Sequence, residues 1–417
     1  MSRQTRVLNL SAFYPSTIFS LSSLAFQLLP AAYIVLFDVY LTRGGENTYA
    51  TYRASATSMA VCSAYILLTS HLVARFSVAR RRRKSRMNQG LQLNIDDLSI
   101  LRVVWAGILL SAVFTVTYGY NGGLYKISLL GSSMDPRSFR FLNFNEVPRE
   151  YTYLLQIARR IVLPAVIFGS VVLLRLGSRQ FAIPLLLSCI LQIVAGAMTF
   201  ARAPFVMLVV ALAMGLYFTQ PSVFRKFLTV LSSLVLLVVV SGSITFLQYN
   251  IVDFDIGQVI TTGIDFSINR AWLVPAAVPI NLSFSVFNGY DDSLLLSGSR
   301  LFGLFSGKVI GTLQADSYIV APVGYVGDIW RNFGVVGVFL SPIFFGLFFR
   351  WLDRIHANVS KMAQVVGSFF CVCLVFYWIM GVVFSAGAFL TLLVVSYFYK
   401  TRPVFIGSSR PTTSARP

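Results

Sequence analysis

An acid, a guanidinium group and an amide stand at helical spacing near residue 330. Asp328, Arg331 and Asn332 stand at positions i, i+3 and i+4, just before a strongly apolar stretch. These spacings place the three side chains on one face of a helix. A carboxylate can accept a proton from a hydroxyl group, and a guanidinium group can bind a phosphate through two hydrogen bonds. This face is therefore a candidate for chemistry on a hydroxyl and a phosphate.

Further arginines fall in segments that are predicted below to lie on the same side of the protein. Arginine stays charged and can bind phosphate bidentately, so these residues are candidates for holding an anionic group. The candidates are Arg137, Arg140, Arg202, Arg300 and Arg331. Arg159 and Arg160 lie inside an apolar segment, where a charge costs a few kcal/mol, so we expect each of them to be paired or to face a wet cavity.

The candidate proton acceptors on that side are carboxylates. The two histidines, His71 and His356, both fall on the other side in the topology derived below. A base near the arginines must then be Asp328 or Asp316, with Glu146 and Asp253 less favoured. The four cysteines lie in apolar runs without metal-ligand spacing, and we expect neither a metal site nor a cofactor.

The composition is that of a membrane protein. Of the 417 residues, 56% are hydrophobic and only 12% are charged, and the mean hydropathy is +0.73. About 25% of the residues in soluble domains are charged, so this chain could not coat a soluble globule with charge. The expected fold is an all-α, polytopic membrane helix bundle with about ten transmembrane helices, one large periplasmic loop and a single transmembrane domain over 1–417.

Apolar runs long enough to cross a bilayer define the spans, since about 20 helical residues cross the hydrocarbon. Residues 180–224 contain a single charged residue, Arg202. This stretch is long enough for two spans, and Arg202 and Pro204 mark the hairpin between them. The predicted spans are about 16–41, 55–74, 103–120, 151–174, 180–201, 203–223, 227–250, 332–349, 362–380 and 382–399.

The Lys and Arg residues orient these spans. With the N-terminus inside, the cytoplasmic segments carry 21 of the 34 Lys and Arg residues but only 3 of the 15 acidic residues. The net charge of +19 is then a topology signal and not a sign of nucleic-acid binding. Residues 75–102 form a basic cytoplasmic loop that suits anionic lipid headgroups, residues 401–417 form a disordered cytoplasmic tail, and both termini are cytoplasmic.

The large periplasmic loop is predicted at 251–331. A loop of this length tends to be functional or disordered, and its Trp residues and apolar stretches argue against disorder. We expect it to contain short helices that lie on the outer leaflet or dip into it.

The segment Gly327-Asp328-Ile-Trp-Arg-Asn332-Phe333-Gly334-Val-Val-Gly337 resembles a motif of the bacterial oligosaccharide repeat-unit polymerases, the Wzy-type O-antigen polymerases. In that family a Gly-acid-x-x-x-Asn-Phe-Gly-x-x-Gly segment leads into a late span, and its acid is often Glu where this chain has Asp. Two further features are similar to the family: Gly122-Gly123 with Arg137 or Arg140 downstream, and Arg202 at a short outer hairpin. The resemblance covers roughly residues 100–350.

The resemblance implies a membrane-embedded, all-helical glycosyltransferase in the bacterial inner membrane. Such an enzyme acts in lipopolysaccharide or other surface polysaccharide biosynthesis, by moving a growing glycan from undecaprenyl pyrophosphate to a new lipid-linked repeat unit on the periplasmic side. The implied partners are the undecaprenyl-pyrophosphate-linked oligosaccharide and the bilayer, and the family also suggests a chain-length regulator protein; nucleic acid is not expected.

The resemblance assigns roles to the candidate residues. Arg202 and Arg331 would hold pyrophosphate, Arg137, Arg140 and Arg300 would contact phosphate or glycan, and Asp328 or Asp316 would handle the acceptor hydroxyl beside Asn332. Tyr318 and Tyr325 would stack on sugar rings. Structural alternatives stay open: an interfacial Asp328–Arg331 ion pair, an Arg202 side chain that reaches the headgroups, and aromatic residues that anchor the protein at the interface.

Two other functions fit a polytopic protein that handles lipid-linked glycans. A flippase or transporter predicts charges along a path through the whole membrane, which the last three predicted spans almost lack. An O-antigen ligase would be favoured by a periplasmic histidine, which this topology does not supply.

Overall fold

The structure is a computed structural model, and it describes residues 13–37, 49–76, 97–124, 149–199, 202–249, 256–265, 267–268, 324–357 and 361–379. The secondary structure of these residues is helical, with no strand among them. The helices are α1 (Pro15–Phe37), α2 (Tyr49–Phe76), α3 (Asp97–Tyr118), α4 (149–175), α5 (Arg179–Ala197), α6 (Ala203–Thr219), α7 (Val223–Tyr249), α8 (Ile256–Asp265), α9 (Gly324–His356) and α10 (Lys361–Ile379).

The helix lengths match those of a membrane bundle. Among the described residues, 7 helices are long and apolar enough to cross a bilayer, and α6 and α10 contain shorter apolar stretches. The first nine predicted spans each coincide with one of these helices, while 382–399 lies outside the described residues. The all-α membrane bundle is therefore confirmed, and the total of ten spans stays a prediction.

An aromatic core holds the central helices together. The Phe168 ring on α4 stacks on Phe369 of α10 with centroids 4.4 Å apart, and its edge meets Phe218 of α6. On the other side of the core, Phe19 of α1 stacks on Phe349 of α9 with centroids 4.5 Å apart. Packed aromatic pairs of this kind supply the van der Waals contact that joins helices in lipid, where no hydrophobic force acts between them.

One end of the bundle, here called the basic end, carries exposed or half-buried cations. These are Arg175, Arg179, Arg225, Lys226, Arg350 and Arg354. The N-terminus of α1 is fixed at this end, because the backbone N–H of Ser16 donates a hydrogen bond of 3.0 Å to Asp353 Oδ1. A carboxylate there satisfies one of the N–H groups that a helix start leaves without an intrahelical partner.

Helix α8 folds back along α7 at a crossing of two glycines. A Cβ atom at Gly242 would collide with the carbonyl oxygen of Val259, and one at Gly263 would collide with that of Val238. The two helices are therefore antiparallel and in backbone contact, which only glycine at both positions permits. The sequence predicted short helices within 251–331, and α8 is one of them, lying against the apolar part of α7.

Helix α9 bends back sharply on itself. The rings of Tyr325 and Phe345 lie 5.6 Å apart, and both contact Phe19 of α1. A straight helix would separate residues 20 positions apart by about 30 Å. The chain must reverse between them, where the sequence supplies Gly334 and Gly337. A first arm from Gly324 therefore packs on the second arm, which runs on to His356, and the predicted span 332–349 lies within this helix.

Candidate functional site

Three buried or half-buried arginines come from adjoining elements at the end of the bundle opposite the basic end. Arg159 and Arg160 lie on α4, and Arg202 lies at the turn between α5 and α6. Together with Gln192 and Thr199 of the α5–α6 hairpin they form what we call the arginine site. Positive charge at this depth of an apolar bundle is costly, which makes such residues candidates for function.

Arg159 sits in a π-helical turn inside an apolar span. The turn covers Ala158–Val162, which lies within the apolar stretch Leu154–Arg175. The Arg159 side chain is only 6% exposed. A π-helical turn widens a helix by one residue and is often found at functional sites, because it rotates a side chain out of the regular register.

The Arg159 guanidinium is held by the α5–α6 hairpin. Its Nη1 donates a hydrogen bond to Thr199 Oγ1. The Thr199 hydroxyl in turn lies 3.0 Å from the carbonyl oxygen of Ala195, which fixes it on the last turn of α5. The hydroxyl of Tyr118 at the end of α3 is also close enough to interact electrostatically with this guanidinium. The charge is thus positioned by side chains from two neighbouring helices, α3 and α5.

Gln192 ties the backbones that carry two of the arginines. Its Nε2 donates hydrogen bonds of 2.8 Å to the carbonyl oxygen of Arg159 and 2.8 Å to that of Pro204. The π-helical turn shifts the hydrogen-bond pattern of α4, and the amide supplies a donor at that point. Since Pro204 follows Arg202 by two residues, one buried side chain sets the spacing between the Arg159 turn and the Arg202 turn.

Arg202 stands at the start of α6. Its carbonyl oxygen accepts the N–H of Phe205 at 3.0 Å and that of Val206 at 3.1 Å, which opens the helix. The hairpin is tight, because a Cβ atom at Gly196 would lie 2.6 Å from the Phe205 ring. The half-buried guanidinium of Arg202 therefore lies beside the N-terminal end of a 17-residue helix, whose dipole adds positive potential.

Gly119, three residues before the Gly122-Gly123 pair, packs against the same hairpin. Residues Gly119–Gly123 form a second π-helical turn, in which Gly122 has φ of 114° and Asn121 Nδ2 donates a hydrogen bond of 2.7 Å to the Thr117 carbonyl. A side chain on Gly119 would meet Met198 at 3.1 Å. The Gly-Gly and Arg202 features, which are far apart in sequence, thus lie at the same end of the bundle.

Such a site suits an anion. Guanidinium groups in a low-dielectric setting bind phosphate strongly, and the α6 N-terminus favours the same charge. In the part of the chain that the structure describes, no group of three His, Cys, Asp or Glu side chains could hold a metal ion.

The predicted residues on α9 are placed in part. Residues 328, 331 and 332 lie on helical backbone, and their side chains are outside the described residues. Because Asp353 lies at the basic end, the bend of α9 is at the opposite end of the bundle, as is Arg202. The remaining predicted site residues, Asp316, Tyr318, Arg137, Arg140 and Arg300, also fall outside the described residues.

Tyr325 is described, and it lies in the core. Its side chain is 0% exposed, between the rings of Phe19 and Phe345. In this conformation neither ring face is open to a sugar, so we leave Tyr325 out of the proposed substrate site.

Sequence reasoning did not identify Gln192, Thr199 or Tyr118. Gln192 has a visible signal, since it is a single amide within the apolar run of α5. Thr199 and Tyr118 have none, because either residue at a helix end is ordinary in a membrane protein. Comparisons of this chain with protein-family models, curated proteins and solved structures each found no match.

Proposed function

We propose that this protein polymerises lipid-linked oligosaccharide repeat units, using undecaprenyl pyrophosphate as the leaving group. The observation that carries the proposal is the arginine site: buried Arg159 and half-buried Arg160 and Arg202, held at one end of an apolar bundle. The motif around Asp328 and Asn332 supports the choice of a glycan polymerase among anion-binding membrane proteins.

The chemistry asks for positive charge where the bond breaks. Cleavage between the anomeric carbon of the donor sugar and the pyrophosphate leaves negative charge on the lipid diphosphate. Preorganised cations in a water-poor site stabilise that charge as it develops. In this proposal Arg202 and Arg331 bind the pyrophosphate. Arg159 and Arg160 add positive electrostatic potential at the site. The remaining candidates contact phosphate or glycan, and they are Arg137, Arg140 and Arg300. Guanidinium groups then supply the charge without a metal ion.

The acceptor hydroxyl needs a group that takes or orients its proton. We assign this role to Asp328, with Asp316 as the alternative and Asn332 as a hydrogen-bonding neighbour. The new glycosidic bond forms between the acceptor oxygen and the anomeric carbon, the proton passes to the carboxylate, and the pyrophosphate leaves on its lipid.

The proposal requires the arginine site to open away from the cytoplasm. Lys and Arg collect on cytoplasmic segments, so the basic end would be cytoplasmic. Cysteine placed at Tyr120, which is 88% exposed at the opposite end, should react with an impermeant thiol reagent in spheroplasts. Cysteine placed at exposed Gln180 near the basic end should react only after the membrane is permeabilised, and the reverse pattern would exclude this orientation.

The function is tested by incubating the purified protein with a lipid-linked repeat and separating the products by size. The wild-type protein should produce a ladder, and the double variant Arg202→Ala, Asp328→Ala should not. Arg225→Ala, an exposed arginine at the basic end, serves as the matched control. A ladder that survives in the double variant would remove these role assignments.

The glycan profile of a deletion strain separates the alternatives. A polymerase mutant keeps a single repeat unit on its acceptor but loses the long chains. Complete loss of surface glycan would instead favour a flippase or a ligase.

A further inference from the structure

Four polar side chains are buried in the interior of the bundle, away from the arginine site. They are Ser23 and Gln27 of α1, Ser63 of α2 and Tyr325 of the first arm of α9, and each is 0% exposed. Ser23, Gln27 and Ser63 lie within the apolar spans of their helices. We call this group the polar pocket.

The four side chains lie on three helices that pack against one another. Ser23 and Gln27 are one turn apart on the same face of α1, on either side of the start of the π-helical turn Leu24–Leu28. The ring of Tyr325 packs on Phe19, one turn below Ser23, with centroids 5.5 Å apart. Its hydroxyl faces Ser23 and lies near Cys62, the residue before Ser63 on α2.

The polar atoms of this pocket are not satisfied by the protein around them. Ser23 Oγ, Ser63 Oγ, Tyr325 Oη and both amide atoms of Gln27 make no hydrogen bond of normal geometry within the described residues. Ser23 and Tyr325 interact through their side chains, although outside normal hydrogen-bond geometry, and the Gln27 amide and the Ser63 hydroxyl have no hydrogen-bond partner among the described residues. Facing polar groups that do not bond directly are the usual setting for a bridging water.

Several hydroxyl groups elsewhere in the bundle bond to their own helix, although those of Ser111 and Ser170 do not. Ser188 Oγ donates to the Leu185 carbonyl at 2.9 Å, and Thr219 Oγ1 donates to the Gly215 carbonyl at 2.8 Å. Such bonds to the preceding helical turn are the ordinary solution for a hydroxyl in an apolar bundle. The polar pocket departs from that solution at several positions at once, which points to a common occupant.

We propose that the polar pocket is an internal hydration site, in which ordered water molecules bridge α1, α2 and the first arm of α9. The mixture of donors and acceptors selects this occupant. The Gln27 amide nitrogen can only donate and its oxygen can only accept, so a cation or an anion would leave one of them unsatisfied. Water satisfies both, and buried water typically makes about three hydrogen bonds to polar groups of this kind.

The hydration site holds the reversed arm of α9 in place. Tyr325 is the polar residue by which that arm reaches α1, and the waters extend its hydroxyl to Ser23, Gln27 and Ser63. Residue 328 follows Tyr325 by three positions on the same helix, so this anchor also fixes the backbone on which the predicted acid stands. The hydration site itself does not depend on the proposed enzymatic activity.

Radiolytic hydroxyl-radical footprinting of the wild-type protein in lipid nanodiscs tests the proposal. Radicals form from water in place, so a buried side chain is labelled only where ordered water touches it. Tyr325 should be labelled at least about tenfold faster than Phe369, whose stacked ring is buried against Phe168 in a dry part of the core. Tyr120, at 88% exposure, gives the rate for a fully accessible ring. Labelling of Tyr325 as slow as that of Phe369 would overturn the proposal.

Variants sharpen the result. Gln27→Leu keeps the size of the side chain but removes its donors and acceptor, so labelling of Tyr325 should fall about fivefold or more as waters are displaced. Ser188→Ala is the matched control, because that hydroxyl bonds to its own helix and its loss should leave Tyr325 labelling unchanged. Unchanged labelling in both variants would contradict the assigned lining. If Gln27→Leu does not fold, Ser63→Ala removes a smaller part of the pocket, and the wild-type footprint decides alone.

Discussion

The protein places arginine in two contrasting settings at its two ends. At the basic end, Arg175, Arg179 and Arg225 are exposed at the ends of helices, where solvent and lipid headgroups screen their charge. In the arginine site, Arg159 is 6% exposed, lies inside an apolar span and is bonded to Thr199. Arginine thus marks the membrane topology at one end, whereas at the other end it is a buried charge fixed by a hydrogen bond.

The contrast extends to the backbone beneath each arginine. The arginines of the basic end lie on ordinary helix termini and turns, such as the α4–α5 turn in which Gly177 has φ of 102°. Arg159 lies on a π-helical turn whose carbonyl is bonded by Gln192, which also bonds the turn after Arg202. A structure this specific around a costly charge indicates that the position of the charge matters, and substitutions can test that difference.

The largest effect is expected at Arg159. Replacing Arg159 with Ala should lower the polymerisation rate by about 100-fold or more, since removal of one preorganised charge donor at a reacting centre has effects of this size. Arg159→Lys should recover little, because an ammonium group lacks the planar set of donors with which a guanidinium group can bond Thr199 and a phosphate at the same time. Initial rates of ladder formation measure both. A rate within a few fold of wild type would show that Arg159 is a structural residue like those of the basic end.

The second effect is expected at Gln192. Gln192→Leu removes the donor shared by the Arg159 and Pro204 carbonyls, and we expect a loss of about 2 kcal/mol in stability. Thermal unfolding in detergent measures this loss. Gln180→Leu, at an exposed glutamine near the basic end, should leave the melting temperature unchanged. Equal melting temperatures for the two variants would mean that the amide bridge contributes nothing to the fold.

A smaller effect is expected where α5 and α6 approach each other. Alanine at Gly196 gains up to about 1 kcal/mol in helix propensity but must push the Phe205 ring, which we expect to cost about 1–3 kcal/mol, so the net effect is destabilising. Gly169→Ala is the control, because nothing lies within 4 Å of its added methyl group, and it should be neutral or stabilising. Unfolding midpoints compare the two. Stabilisation by both substitutions would show that the hairpin can relax.

The smallest effect is expected at the basic end. Arg225→Ala and Arg179→Ala should each change the polymerisation rate by less than about twofold, because exposed charges contribute little to local structure. The same ladder assay checks this. A loss comparable with that of Arg159→Ala would erase the distinction between the two ends.

The helices themselves could be predicted from the sequence. Nine of the predicted spans coincide with helices, and the hairpin at Arg202 and Pro204 separates α5 from α6 as predicted. The eighth predicted span, 332–349, lies inside α9, but its apolar pattern does not show that the chain reverses within this helix. Apolar composition shows where a chain enters lipid, but it carries little information on a reversal within a helical segment.

The candidate site could be predicted only in part. Its place at a hairpin makes Arg202 a candidate from the sequence, and the cost of a charge in an apolar run does the same for Arg159, but neither pattern identifies a partner. Gln192 and Thr199, which hold these residues in place, were missed. A sequence pattern shows which polar groups enter the membrane, but their partners lie 33 and 40 residues away along the chain.

Length and hydropathy by themselves determined that this chain is a bundle of apolar helices. Those properties are local, since each residue contributes its own transfer free energy to the bilayer. The tertiary structure alone decided that Arg159 meets the α5–α6 hairpin, that α9 doubles back and that Tyr325 joins a buried polar pocket. These features arise from contacts between distant segments, which depend on how helices pack and not on how apolar each one is.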